Sequence, residues 1–243
     1  MTPTSASRRK RFYTTASVSE PSGEPPLFRV LLDGRGVRTP AKRELALPNH
    51  ELAIAVAAEW QGQGPHIDPI SMPLTRLVNS ALDGVTGREA EVRASILAYA
   101  GSDLLCYLAD GPLDLVERQS RLWGEVHAWA KQVFGVELAL SVGVIPVTQD
   151  AAMLAKLDEA LGAAGPLRLA ALHVVTALTG SLLLALALRH GRLSATEAWS
   201  LAHIDEDFQA AKWGADLEAT ERRERRWAEM AAASRVVTQS TDC

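Results

Sequence analysis

The sequence predicts an α+β protein, in which a small N-terminal antiparallel β domain precedes a larger all-α helical domain. Apolar residues alternate with polar ones at period two up to about Asn49, whereas beyond Pro73 they recur at helical spacing nearly to the end. With 243 residues, 47% of them hydrophobic and 22% charged, the chain can bury a large core. We expect a β domain with one helix over residues 8–72, a helical domain over 73–230 and a frayed polar tail over 231–243.

The β domain is expected to consist of short strands and tight turns. Residues 12–18 and 28–32 alternate in polarity, and a loop rich in proline and glycine separates them. The Asp-Gly-Arg-Gly run at residues 33–36 predicts a turn, after which residues 37–39 return as the partner strand of a hairpin. Residues 45–47 predict one more short strand. A sheet of this size is not stable alone, so it must pack against a neighbour.

Helices are expected from Asn49 onward. Asn49 is placed to cap a helix that runs to about Gln61. Ser194 and Glu197 have the spacing of a capping box, which predicts the start of the last long helix. Glycines and prolines divide the chain after Pro73 into predicted helices over residues 75–85, 88–99, 113–134, 149–163, 167–189 and 196–230.

Composition and charge argue against several classes of protein. The net charge is −4 and the pI is about 5.9, so the chain as a whole does not attract nucleic acid. The two cysteines, Cys106 and Cys243, cannot form a disulfide framework, and no CxxC motif or Cys/His cluster offers metal ligands. The first eighteen residues are basic but lack the apolar stretch of a secretory signal. We expect a cytoplasmic protein if the source is bacterial, or a mitochondrial matrix protein if it is eukaryotic.

One segment is long and apolar enough to raise the question of a membrane span. Twenty residues from Leu169 to Leu188 carry no formal charge, which meets the length rule for a transmembrane helix. His173, Thr176 and Gly180 interrupt it with polar or small residues, and no aromatic belt flanks it. A helix that is apolar all round also suits the centre of a helical domain. We interpret the segment as a buried central helix without stable membrane insertion; a membrane anchor is the alternative.

The sequence contains few signs of catalysis. The glycine-rich nucleotide-binding motifs, the GxSxG elbow and the HExxH metal motif are all absent, and the six histidines are scattered. His173 is interpreted as a hydrogen-bonded core residue, and Asp103 as a capping or helix-pairing carboxylate. Ser120, Glu125 and His127 have the residue types of a triad, but one helix would direct them to different faces. We expect no catalytic residue, metal or cofactor; the alternative is an enzyme with a site between the two domains.

The late segment 200–218 is the strongest candidate for a binding surface. On a helical wheel Ile204, Phe208, Ala211 and Ala215 form a narrow apolar stripe, and Trp213 lies on the opposite side. An exposed Trp within a polar rim is typical of a protein-binding hot spot. A second buried face containing Trp199 and Leu217 is the alternative. The wheel places polar residues beside Trp213, namely Glu206 and Gln209, with the acids Asp205 and Asp216 on the same run.

An ordered set of short motifs resembles one known family. The motifs are Leu32-Asp-Gly-Arg, Val37-Arg-Thr-Pro-Ala, Ala57-Ala-Glu-Trp60, Met72-Pro-Leu-Thr75 with Asn79-Ser80, Asp103-Leu-Leu-Cys-Tyr107, Gln119 with Trp123, and Glu206-Asp-Phe-Gln209 with Lys212-Trp-Gly214. The chain resembles the assembly chaperones for the alpha subunit of the F-type ATP synthase catalytic head. The resemblance covers about residues 11–218.

The resemblance implies a fold, a partner and a set of binding residues. It implies a small β domain followed by a helical domain, no catalytic reaction, and binding of free alpha subunit until the beta subunit replaces the chaperone. It also implies that the partner-binding residues are Glu206, Gln209, Trp213 and Gly214, to which we add the neighbouring acids Asp205 and Asp216. The acidic balance and the absence of heptad repeats favour a monomer.

Overall fold

The N-terminal part of the chain is a small antiparallel sheet. The computed structural model describes residues 9–214 and 216–239. Strand β2 pairs with β1 and β3 in the order β1-β2-β3, and it also pairs with β4. Asp33 and Gly34 join β2 to β3 with φ values of 46° and 78°, the signs that a two-residue type I′ turn requires. The strands are β1 (Ala16–Val18), β2 (Phe28–Leu32), β3 (Arg35–Gly36) and β4 (Ala46–Leu47).

A capped helix connects the sheet to the rest of the molecule. Helix α1 (His50–Gln61) begins after Asn49, whose side chain accepts a hydrogen bond from the Leu52 N–H at 3.0 Å, as predicted. Helix α2 (Pro73–Ser80) continues into a π-helical turn, and α3 follows. Their bounds are Ala81–Val85 for the π turn and Glu89–Ala98 for α3.

The C-terminal part is helical around one apolar centre. A short parallel pair, β5 (Tyr107–Leu108) and β6 (Ser141–Val142), flanks α4 (Leu113–Phe134). The remaining helices are α5 (Ala151–Leu161), α6 (Pro166–Thr179), α7 (Leu182–Arg189), α8 (Ala195–Ala202), α9 (Ile204–Trp213) and α10 (Leu217–Gln239). Residues 182–188 of α7 are all buried, because α4, α6, α8 and α10 pack around them. The predicted α+β fold class is thus confirmed. The division at residues 72 and 73 stays a prediction.

The predicted helix over residues 167–189 is broken in two. Gly180 adopts φ 67° and ends α6, and Ser181 then caps α7 by accepting a hydrogen bond from the Leu184 N–H. The apolar run from Leu169 to Leu188 is therefore divided between α6 and α7, and both helices contribute residues to the core. Across residues 9–214 and 216–239, no helix combines the length and the apolar character that a membrane crossing requires.

The predicted helix over residues 196–230 is also wrong as a single element. Its start is confirmed, since Ser194 and Glu197 form a capping box. Breaks at His203 and Gly214 then divide it into α8, α9 and α10. The frayed tail is a further error, because α10 continues to Gln239 and buries Ala233, Ser234, Val236 and Val237. Residues 240–243, including Cys243, lie outside the described residues.

Candidate functional site

Helix α9 presents a tryptophan to solvent at its C-terminal end. Ile204 is 1% exposed and anchors the first turn, whereas Trp213 in the last turn is 76% exposed. Gly214 follows with φ 87°, a backbone conformation that favours glycine, and ends the helix. The predicted apolar stripe holds for Ile204 and half-buried Phe208, but Ala211 is exposed. Ala215 lies outside the described residues.

The alternative of a second buried face around Trp213 is not what the structure shows. Trp199 is buried, but it lies on α8 and stacks on His203 with ring centroids 3.9 Å apart. Leu217 starts α10 and is 75% exposed. Because the chain bends at His203 and Gly214, these side chains do not share one helical face with Trp213. The indole remains accessible.

A groove between α9 and α10 brings most of the predicted site residues together. Its volume is about 570 Å³, within the range of ordinary binding sites. Helix α10 contributes arginines, which the sequence analysis does not identify as site residues. The lining includes Glu206, Gln209, Trp213, Gly214 and Asp216 from the predicted set, and Arg222, Arg223 and Arg226 from α10. We call this feature the α9–α10 groove.

Asp205 does not line the α9–α10 groove, so its part in partner binding stays a prediction. Its Oδ1 accepts a hydrogen bond of 2.5 Å from the Nε2 of Gln119, a buried residue of α4. The same Gln119 accepts a 2.7 Å hydrogen bond from the Ala109 N–H. Asp205 follows the buried Ile204 on the wheel and is half-buried, so it faces inward toward α4. Its role is to fix the position of α9.

Contacts with α4 and α10 hold α9 in place, and a further contact holds the helix before it. Asp207 pairs with Arg223 of α10 at 2.5 Å, and Lys212 lies 3.4 Å from Asp114 at the start of α4. The buried Trp123 of α4 donates its indole N–H to the Leu201 carbonyl at 2.9 Å, which secures the preceding helix. The exposed end of α9 is therefore attached to a rigid frame.

Charge in the α9–α10 groove is mixed, and the Glu206 carboxylate is available. His203 Nε2 is 3.9 Å from Glu206 Oε2. Burial lowers the pKa of His203, so its ring is neutral at pH 7 and forms no ion pair with Glu206 there. The Asp216 carboxylate accepts a hydrogen bond from the Ala219 N–H and caps α10. Arg226 donates a hydrogen bond to the Leu178 carbonyl at 3.0 Å, so one of its N–H donors is engaged within the chain.

Sequence reasoning missed an apolar surface at the same end of the molecule. The Lys212–Asp114 contact places Trp213 beside the first turn of α4, where Leu113 is 72% exposed. Strand β5 precedes that turn, and its partner β6, with the segment that follows it, carries further exposed apolar side chains. Their exposures are 58% for Val142, 94% for Val144 and 69% for Ile145. The signal was in the sequence: the run Val142-Gly-Val-Ile-Pro146 is apolar throughout, although loops are usually polar.

The other residues considered for catalysis or metal binding contact groups within the chain. Asp103 is fully buried and accepts hydrogen bonds from the Leu105 and Leu183 N–H groups, both at 3.1 Å, which fits its predicted capping role. The carboxylate of Glu125 lies 3.5 Å from the Arg192 guanidinium, so it forms an ion pair there and does not act in a triad. His173 is half-buried, with its Nε2 3.3 Å from Ser95 Oγ. No cluster of three or more metal-ligating side chains occurs within the described part of the chain.

Comparison with known proteins decides the family. The family model of the ATP12 chaperone protein matches residues 10–131, half of the chain. The chain belongs to the ATP12 chaperone family. The predicted resemblance to an assembly chaperone of the ATP synthase is thereby confirmed.

Two solved structures and one curated relative are similar to most of the chain. The crystal structure of Atp12 from Paracoccus denitrificans is 41% identical with a TM-score of 0.85, and the match covers 94% of this chain and 97% of that one. The Atu1473 protein of Agrobacterium tumefaciens is 44% identical with a TM-score of 0.88, over 94% of this chain and 85% of the other. The mitochondrial protein atp12 of Schizosaccharomyces pombe is 22% identical over 224 residues, 87% of this chain and 76% of its own length.

Proposed function

We propose that this ATP12-family chaperone binds the free alpha subunit of the ATP synthase catalytic head and shields its intersubunit surface. The subunit is then transferred to the beta subunit during assembly. The proposal assigns no catalytic reaction and no cofactor to the chain. It is expected to act in the cytoplasm of a bacterium or in the mitochondrial matrix of a eukaryote.

The observation that supports this proposal best is the exposure of Trp213. A tryptophan that is 76% exposed leaves a large apolar area in water, which is favourable only when a partner covers it. Polar side chains of the α9–α10 groove surround the indole and can form hydrogen bonds at the rim of a contact. Trp with a neighbouring Arg is the composition that dominates binding energy in protein interfaces.

The exposed apolar residues at the start of α4 and in the segment after β6 extend the proposed surface. An unassembled subunit of an obligate complex exposes an interface that is larger and more apolar than a transient one. A chaperone for such a subunit needs an apolar contact of its own. The exposed side chains of Leu113, Val144 and Ile145 are available for that contact.

The handover requires an intermediate affinity. The chaperone must bind the alpha subunit tightly enough to prevent its aggregation, but less favourably than the beta subunit does. A groove with a few strong contacts around one indole meets this requirement better than a fully buried, obligate interface would.

Direct capture of purified subunits tests the proposal. The tagged chain is immobilised at low salt and offered isolated alpha subunit or isolated beta subunit from the same organism. We expect retention of alpha alone, and release of alpha when beta is added. Equal retention of both subunits, or retention of neither, would contradict the assignment of alpha as the partner.

A further inference from the structure

A second groove lies in the N-terminal sheet, on elements that the α9–α10 groove does not involve. Its volume is about 900 Å³. Buried apolar side chains, among them Leu32, Val37 and Ile67, form its floor. Phe12 lines it with 58% of its surface exposed. Three arginines also line it, namely Arg9, Arg35 and Arg38, and we call the feature the arginine groove.

The arginine groove is positively charged in a molecule that is negative overall. Three guanidinium groups face a single carboxylate, that of Asp33, whereas the whole chain carries a net charge of −4. The Asp33 carboxylate is already engaged by the N–H groups of Thr14 at 3.1 Å and Thr15 at 2.9 Å, and these hydrogen bonds lower its pKa. It therefore stays ionised and offsets one of the three arginine charges, so the lining remains positive. A local reversal of sign of this kind favours a negatively charged partner.

One wall of the arginine groove is the edge of the sheet. Strand β3 pairs with β2 through Leu32↔Arg35 and Leu31↔Gly36, and the Val37 N–H donates to the Val30 carbonyl at 2.9 Å. Because hydrogen-bonded and non-bonded pairs alternate in an antiparallel ladder, the Gly36 N–H and C=O point away from β2. A Cβ built on Gly36 would meet nothing within 4 Å, so the face of the strand is also open at this residue. An open edge beside an apolar floor is suited to the addition of a strand.

We propose that the arginine groove binds an extended acidic segment of a partner polypeptide. Its backbone pairs with β3 at Gly36, its carboxylates pair with Arg35 and Arg38, and its apolar side chains contact Phe12. The apolar floor and the strand edge favour a polypeptide over a nucleic acid, which would offer neither apolar side chains nor backbone N–H groups. The inference is independent of the partner that the α9–α10 groove binds.

Fluorescence anisotropy with the full chain and a short fluorescein-labelled peptide of alternating Glu and Val tests this assignment. We expect saturable binding at low salt that weakens about tenfold in the double variant Arg35→Gln/Arg38→Gln. The exposed pair Arg118→Gln/Arg121→Gln on α4 makes the same charge change elsewhere and should bind as the wild type does. The single variant Arg35→Gln replaces the double variant if the latter does not fold.

Two modified peptides separate charge from strand pairing. Replacing Glu by Gln should abolish binding, and N-methylation at alternate residues, which blocks backbone pairing, should weaken it with the charges intact. The proposal is overturned if the wild type does not bind the acidic peptide, if the Gln peptide binds equally well, or if N-methylation has no effect. It is also overturned if the control pair loses as much affinity or if a single-stranded DNA oligonucleotide displaces the peptide more effectively.

Discussion

Asp103 shows how a buried carboxylate can serve structure in this fold. Its carboxylate binds the start of a short helical turn through the Leu105 N–H and the start of α7 through the Leu183 N–H. Burial raises the pKa of Asp103 to about 6, although hydrogen bonds from Ser181 and from backbone N–H groups oppose the shift. The unfolded chain has the ordinary aspartate pKa of about 3.9.

A pH-dependent stability follows for Asp103. Between about pH 4 and pH 6 the folded chain retains a proton that the unfolded chain has released, so the free energy of unfolding falls as pH rises through this window. The shift of about two pKa units corresponds to about 3 kcal/mol. Urea unfolding of wild type and Asp103→Asn at pH 4 and pH 7 measures it, since other carboxylates cancel in the difference. A difference in stability that is the same at both pH values would contradict this account.

At the residue scale, the sequence predicted the roles of those side chains whose partners lie within a few residues in the chain. The Asn49 cap and the Ser194–Glu197 box depend on neighbours three residues away, and both were predictable. The hydrogen bond between Asp205 and Gln119 could not be predicted, because the two residues are distant in sequence. Position on a helical wheel indicates a face, but it does not indicate which neighbouring helix covers that face.

At the scale of elements, α10 is the feature that the sequence pattern described least well. Its residues 231–239 are small and polar enough to suggest fraying, yet α10 packs along α6 and also contacts α2. The Asn49 Nδ2 donates to the Gln239 carbonyl at 3.0 Å, which attaches the end of α10 to the start of α1. Burial there depends on tertiary contacts, which composition alone does not reveal.

Val236 provides the test for the end of α10. It is fully buried, so Val236→Ala should lower the free energy of unfolding by about 2 kcal/mol through lost apolar contact and a small cavity. Its exposed neighbour provides the control: Arg235→Ala should change stability by less than about 0.5 kcal/mol. Urea denaturation measures both. Two near-zero values would show that residues 231–239 are frayed in solution.

Helix breaks were the second error at this scale. Apolar periodicity continues across Gly180, and helical periodicity continues across His203, so pattern alone joined helices that the chain separates. The glycine at 180 was visible, but an isolated glycine is also tolerated within a helix. The bend at Gly214 bears on the proposed binding surface, because it ends α9 directly after Trp213.

At the scale of the whole molecule, family motifs that are far apart in sequence contact one another. Glu59, in the Ala57-Ala-Glu-Trp60 motif, accepts hydrogen bonds from the Leu74 N–H at 2.8 Å and the Thr75 N–H at 2.7 Å, in the Met72–Thr75 motif. These bonds cap α2 from α1 and cross the predicted domain boundary. The motifs therefore include one set that builds the frame through contacts such as that of Glu59, and another set that is exposed around Trp213.

Glu59→Ala tests whether the first set is structural. Loss of this cap should reduce the free energy of unfolding by about 1–3 kcal/mol, because two backbone N–H groups lose their acceptor. Capture of the alpha subunit should persist at temperatures where the variant is folded. Exposed Glu117→Ala on α4 serves as the control and should be neutral in both measurements. Loss of capture in a folded Glu59→Ala chain would place Glu59 in the binding surface instead.

The second set is tested by the ability of variants to keep free alpha subunit in solution. Light scattering follows aggregation of isolated alpha subunit against increasing amounts of wild type, Trp213→Ala and Glu206→Lys. Val133→Ala and Glu159→Lys make matched changes at exposed positions on α4 and α5. We predict that both groove variants fold with native circular dichroism and fail to suppress aggregation, whereas both controls act as the wild type does. Suppression at wild-type stoichiometry by Trp213→Ala and Glu206→Lys would contradict a binding role for the α9–α10 groove.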